Sequence, residues 1–369
     1  MFFCCLFLFL CSKKRFFTGI PHSNFELSTV RASIFFQTYL SIFAVDFSVY
    51  PLRFAKTETY GISLMDIGVG CYIGINAANA SYRNLRAKST THLASKPSTN
   101  LLLRIGPLLA LSLLRLISLK LVGYPEHVSE YGIHWNFFLS LAMIALFCDL
   151  IRRYLPPSSF YFIGLGLAIS FLCDIIFYLF DLVPIILSNE IRPVRLDSFT
   201  DFVLMNKEGI ASLPGYISIY LIIYGSCFGN KKMFLTPLFL MAYFFCDAFV
   251  ATASRRLCNC AFVFWAVFFL LYHSILSTTI RSCLNAPSER PMKEGAPKIP
   301  NIQFGDALVE AINYSPLVTF LFANLLTGLV NMTIQSLFLS QGLSCVLVLL
   351  YGCIVGCVGH FLKLYYAIK

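Results

Sequence analysis

The sequence predicts an all-α polytopic membrane protein with about ten or eleven transmembrane helices. Two observations carry this. Hydrophobic residues make up 58% of the 369 and charged residues only 12%, about half the charge that keeps a soluble globular chain in water. The apolar residues also fall in runs of roughly 18 to 25, long enough for a helix to cross the hydrocarbon core. Lipid offers no hydrogen bonds to a bare backbone, so each such run is expected to be a helix that satisfies its own backbone groups.

In chain order the expected spans are residues 30–50, 62–80, 101–122, 134–151, 160–187, 213–229, 233–253, 260–280, 316–339 and 341–362. Asp66, Gly68 and Gly70 interrupt the second of these. Residues 1–29 read as a degenerate N-terminal segment: an apolar stretch to Cys11, too short to span, followed by Lys13, Lys14 and Arg15. A secretory signal would carry its charges first, so a short first helix is the expectation. The connections 82–100, 188–212 and 281–315 are too small for a soluble module. Residues 30–369 are therefore read as one integral membrane domain. The 14 cysteines lie mostly inside apolar runs and behave there as small hydrophobes. The Cys258-Asn259-Cys260 spacing does not suit a zinc knuckle, and no metal site is expected.

The charge of +10 is distributed, and its distribution sets an orientation. Of the 28 Lys and Arg residues, nineteen fall on the side that precedes the first span and seven on the other, with Arg115 and Lys120 inside a span. Basic connections stay in the cytosol, so the poorer side is expected to be lumenal. The excess is that of a membrane protein and calls for no nucleic-acid partner. The lumenal stretches 46–59, 126–136, 189–209 and 254–256 mix carboxylates, His, Arg and Lys. A reaction centre, if there is one, is expected on that face.

Asp46 is read as lying inside the first span, a turn before Pro51 can end it. An ionisable residue at membrane depth is a functional candidate by default. The chain then turns back through Arg53, Lys56 and Glu58, so Asp46 and Lys56 could pair across the turn. A carboxylate can take a proton from an attacking hydroxyl and a cation can hold the developing oxyanion; the same two residues would also make a salt bridge that merely fixes the turn. Further along, Glu130 and His134 would share a helix face if the fourth span began early, and Asn136 follows them. Tyr131 and Trp135 suit interfacial anchors. Lys207 and Glu208, after Asn206 and before Gly209, suit either helix capping or a sugar or phosphate contact. Arg255 and Arg256 fit phosphate oxygens as a pair. Asn324, Thr327, Gly328 and Asn331 form one polar stripe on an apolar helix, for helix packing or for lining a cavity.

Several phrases, in order, resemble the GPI inositol acyltransferase family, whose fungal members are known as GPI-anchored wall transfer proteins. They are Ala44-Val-Asp-Phe47, Arg53-Phe-Ala-Lys-Thr-Glu-Thr-Tyr-Gly61, Ser63-Leu-Met-Asp-Ile-Gly-Val-Gly70, Glu130-Tyr-Gly-Ile-His-Trp-Asn-Phe-Phe138, Asn206-Lys-Glu-Gly209, Ser254-Arg-Arg256 and Asn324-Leu-Leu-Thr-Gly-Leu-Val-Asn331. They run from about residue 30 to 339, while residues 12–29 match the family poorly. The resemblance implies an endoplasmic-reticulum enzyme that moves a fatty acyl chain, typically palmitoyl, from acyl-CoA to the inositol 2-hydroxyl of glucosaminyl-phosphatidylinositol. It implies catalytic roles for Asp46 and Lys56. Arg53, Glu130, His134, Asn136, Lys207, Glu208, Arg255, Asn324 and Asn331 are then expected to bind or orient substrate. Acyl-CoA is a co-substrate, no separate cofactor is implied, and no obligate protein partner is inferred. The alternative is a polytopic lipid transporter or flippase without acyl transfer, with Asp66, Asp149, Asp174 and Asp247 as its relay.

Overall fold

The computed structural model describes residues 25–89, 101–122, 128–193, 195–227, 232–284, 304–314 and 316–368. Most of the expected N-terminal segment, residues 1–24, and most of the connections 82–100 and 281–315 lie outside them. The regular elements of the described chain are α-helices, with two short 3-10 turns at Leu52–Phe54 and Ser336–Phe338. Each expected span coincides with a helix. They are α1 (Phe25–Ala44), α2 (Leu64–Ser89), α3 (Leu101–Val122), α4 (Phe137–Tyr154), α5 (Ser159–Leu179), α6 (Leu182–Leu187), α7 (Phe199–Met205), α8 (Lys207–Ser226), α9 (Lys232–Phe249), α10 (Cys260–Leu284), α11 (Phe304–Tyr314), α12 (Pro316–Thr333) and α13 (Gln341–Ile368).

Among the described residues, five helices are long and apolar enough to cross a membrane: α5, α8, α9, α10 and α13. A sixth span would come from α11 and α12, which meet at a 92° bend. The other expected spans are helices too, but more polar ones. Arg104, Arg115 and Lys120 lie in α3 and Asp149, Arg152 and Arg153 in α4. Several apolar helices of this length make the chain a multi-pass membrane protein.

Three of the boundaries that differ from expectation bear on the candidate site or its surroundings. The first helix stops at Ala44, so Asp46 lies beyond its end rather than within it. The expected span 160–187 breaks at Phe180 and Asp181, the latter left-handed with φ of 50°, and restarts as the short α6. Helix α4 begins only at Phe137.

The chain folds as two compact units, each discontinuous in sequence. Unit one takes residues up to 56, residues 63–68 and everything from 273 onward. Its centre is α1, which packs on α11, α12 and α13. Phe43 of α1 stacks flat on Tyr351 of α13, with centroids 4.0 Å apart, and Arg31 is hydrogen-bonded to Asn313. Tyr351 donates to the Ala323 carbonyl at 3.1 Å, so one tyrosine links α1, α12 and α13. Asp66 and Ser63 close a reciprocal cap on the start of α2: Ser63 N–H donates to Asp66 at 3.1 Å and Asp66 N–H to Ser63 Oγ at 3.2 Å. This satisfies two of the orphan donors that every helix start presents.

Unit two takes residues 57–62 and 69–272. Helix α8 is its core, with Tyr216, Ile219, Leu221, Ile222 and Ile223 buried. It lies close against α5 because small residues face each other there. Ser218 donates to the Gly166 carbonyl at 2.7 Å and Ser159 to the Gly225 carbonyl at 2.8 Å, the packing expected where helices cannot gain from excluding water.

Candidate functional site

In unit one the site is built at the end of α1. The helix leaves through successive tight turns: Phe47 N–H donates to Ala44 O at 3.0 Å, Tyr50 N–H to Phe47 O at 3.0 Å, and Phe54 N–H to Pro51 O at 2.9 Å. Asp46 sits in the first of these turns, partly buried. Its Oδ2 accepts a hydrogen bond of 2.7 Å from Asn331 Nδ2 near the end of α12. Asn331 is thus a hydrogen-bond partner of the carboxylate from a helix remote in sequence. The helix ends a turn earlier than expected, and α12 supplies the donor. Lys56 is exposed at the far end of the turns, as is Arg53, whose guanidinium lies 5.1 Å from the Phe54 ring centre.

The polar stripe of α12 divides by depth. Asn324 donates back to the Phe320 carbonyl of its own helix at 2.7 Å. Thr327 reaches Tyr351 Oη at 3.3 Å. Only Asn331, at the end of the stripe, reaches a carboxylate, and its buried Oδ1 has no partner among the described residues.

Unit two gathers three of the sequence phrases around the start of α8. Glu208 is fully buried and its Oε1 accepts from Arg192 and, at 3.0 Å, from Arg256 Nη2. Arg256 also donates to the carbonyls of Glu58 and Ile186, both at 3.3 Å, and to Asn189 Oδ1 at 3.2 Å. Arg192 holds the Met205 carbonyl at 3.1 Å. Lys207 is buried and gives its ammonium to the carbonyls of Ser188, at 2.6 Å, and Ile191, at 3.0 Å. Lys207 and Glu208 thus spend their charged groups on the loops around them.

The segment 128–136 closes over this cluster. Ile133 N–H donates to Met205 O at 3.0 Å, His134 N–H to Asn206 Oδ1 at 2.8 Å, and Gly209 N–H to Tyr131 O at 3.0 Å. The segment is a loop, so Glu130 and His134 do not share a helix face as expected. Helix α4 starts late because Asn136 is its N-cap, accepting from Leu139 N–H at 3.1 Å and donating to Ser112 O at 3.1 Å. That is capping by a residue type suited to it. Burial pushes the Tyr131 phenol up, against the pull of the buried Arg255 guanidinium. Burial likewise raises the Cys258 thiol, which keeps it protonated and unreactive.

Gly132 is the hinge of this closure. Its φ is +116°, and a Cβ there would lie 2.5 Å from Asn206 Cα and 2.7 Å from Met205 O. Both backbone strain and a backbone clash oppose any side chain. Gly132→Ala is expected to cost at least about 1–3 kcal/mol, read as earlier thermal unfolding of the purified protein. An unchanged unfolding curve would contradict this account of the loop.

Sequence reasoning picked out Glu208, Lys207 and Arg255 but not Arg192, Arg256 or Asn206 as their partners. A buried carboxylate in an apolar chain requires a cation, and that requirement was the available signal.

The sequence comparisons bear on this arrangement as a whole. The GWT1 family model matches residues 11–362. The chain belongs to the GWT1 family. Among its relatives, GPI-anchored wall transfer protein 1 of Debaryomyces hansenii is 32% identical over 395 residues, covering 92% of this chain and 74% of the relative. The protein of the same name from Schizosaccharomyces pombe is 30% identical over 352 residues, covering 90% and 71%. An uncharacterized protein of Arabidopsis thaliana is 31% identical over 360 residues, covering 92% and 75%. The matched range spans Asp46, Glu208 and Asn331.

Proposed function

We propose that this protein transfers a fatty acyl chain, typically palmitoyl, from acyl-CoA to the inositol 2-hydroxyl of glucosaminyl-phosphatidylinositol. Membership of the GWT1 family, with relatives named GPI-anchored wall transfer protein, supports a role in GPI-anchor biosynthesis. The observation that carries the chemistry is the Asp46 carboxylate, held at one oxygen by Asn331 at 2.7 Å. A carboxylate fixed by one donor keeps its other oxygen available to accept a proton.

In the reaction Asp46 takes the proton as the inositol oxygen attacks the thioester carbonyl carbon. Lys56 stabilises the oxyanion that forms. Collapse of the intermediate breaks the carbon–sulfur bond, and the proton on Asp46 passes to the leaving thiolate of coenzyme A. No Ser or Cys nucleophile takes part, so no acyl-enzyme accumulates. Glu130, His134, Lys207 and Arg255 are assigned to substrate binding or to holding the loops that bind it. The site is assigned to the lumenal leaflet of the endoplasmic reticulum on the asymmetry of basic residues.

The flippase alternative needs carboxylates free to relay charge. Of its four, Asp149 is ion-paired, and each of the other three accepts a backbone N–H at one oxygen. Asp66 caps α2, Asp149 meets Arg104 at 3.0 Å, Asp174 accepts from Cys260 N–H at 3.0 Å, and Asp247 accepts from Ala253 N–H at 2.8 Å. The readings separate in proteoliposomes that hold the purified chain, labelled acyl-CoA and glucosaminyl-phosphatidylinositol. Acyl transfer yields a labelled, base-sensitive inositol ester. Movement of the lipid between leaflets with no ester formed would overturn the proposal.

Asn331 orients the base rather than the substrate. Asn331→Ala is expected to lower kcat about 100-fold, the scale of a misplaced reacting group, with KM for both substrates little changed. Loss of affinity at unchanged kcat would return Asn331 to a substrate-binding role.

A further inference from the structure

On the basic side of the charge asymmetry, in unit two, three arginines from two helices meet one carboxylate. Arg104 of α3 donates to Asp149 Oδ1 at 3.0 Å, Arg152 bonds the same oxygen, and Arg153 lies 3.4 Å from Oδ2. Three positive charges thus meet one negative one. The ordinary bias of cytosolic connections toward Lys and Arg needs such charges only to be present, dispersed and solvated.

These are neither dispersed nor fully solvated. The Arg152 side chain is 14% exposed, its guanidinium lies 5.5 Å from the centre of the Tyr224 ring, and its buried Nε has no partner among the described residues. Tyr224 is itself fixed, because its hydroxyl accepts from Asn84 at 2.6 Å. Arg153 and Arg104 are 60% and 33% exposed, so the cluster opens outward. Asp149 aligns these guanidinium groups side by side. Planar forks held in this way match the oxygens of a phosphate bidentately, as they match those of a carboxylate.

We propose that Arg104, Arg152 and Arg153 form a phosphate-binding site at this end of unit two. Two sources carry that chemistry: the nucleotide phosphates of a coenzyme A thioester and the headgroup of an anionic phospholipid. The first source rests on the acyl-CoA reading above; the phosphate site itself does not.

The test uses the full chain in nanodiscs of neutral lipid. Labelled coenzyme A is titrated with and without adenosine 3′,5′-bisphosphate as competitor, and phosphatidylinositol 4-phosphate is titrated in parallel. The variant Arg104→Gln/Arg153→Gln leaves Arg152 on Asp149 and changes only the more exposed members. Saturable binding of either ligand by the parent chain, weakened about tenfold in the double variant and only partly recovered by Arg104→Lys/Arg153→Lys, which returns the charge without the fork, supports the site and names its source. A matching unfolding curve shows that the variant is folded; if it is not, Arg153→Gln alone is read in the same titration. Binding of neither ligand, or equal binding by the folded variant, overturns the proposal. Binding that follows this pattern without inositol acylation would leave the site standing and sink the acyltransfer reading. Acylation with an unchanged KM for acyl-CoA in a variant that has also kept its binding would do the reverse.

Discussion

Glu208→Ala is expected to be among the most destabilising single substitutions in the chain. The wild-type carboxylate is fully buried and accepts from Arg192 and Arg256. Truncating it leaves two enclosed guanidiniums with no counter-charge. Removing one partner of a buried ion pair costs about 3–5 kcal/mol, because the remaining charge cannot return to water. Glu208→Gln keeps an acceptor in place and should lose less. The comparison is made on purified protein by thermal or denaturant unfolding and by yield. An alanine variant as stable as wild type would mean that the cluster opens to water, and the account of Lys207, Glu208 and Arg256 as an enclosed frame would then fail.

Asp46→Asn acts on chemistry instead. An asparagine at this position still offers an oxygen to Asn331 Nδ2, so the contact that closes the end of α1 on α12 survives. What disappears is a base able to hold the inositol proton. General-base catalysis contributes about 100-fold to 10,000-fold, and turnover should fall by that factor at unchanged expression and unfolding temperature. The contrast between the two variants is itself informative. One should lose the protein with its activity, the other the activity alone.

The helices were legible in the sequence because lipid leaves the backbone one solution, and every expected span has its helix. Local signals also read correctly where the partner lay close in sequence: Ser63 and Asp66 stand three apart and cap α2. Where the partner was remote, the reading failed or stopped short. Asp46 and Asn331 are 285 residues apart and Glu208 and Arg256 are 48 apart, and no periodicity encodes such pairs. Glu130 and His134 show a different failure. Their spacing suits a helix, but Gly132 between them takes a left-handed turn and Asn136 delays the helix start. Asp46 was recognised as the residue to watch from its charge in an apolar run. Its placement was wrong because the end of α1 is set by the turns after Ala44, not by Pro51.

Inositol acylation in microsomes tests the central claim most directly. The chain and its Asp46→Asn variant are each expressed in cells lacking their own activity, and the microsomes receive acyl-CoA and glucosaminyl-phosphatidylinositol. The predicted result is acylated product from the parent chain and none from an equally abundant variant. Equal product from both would remove Asp46 from the mechanism, and no product from a well-expressed parent chain would contradict the acyltransferase reading itself.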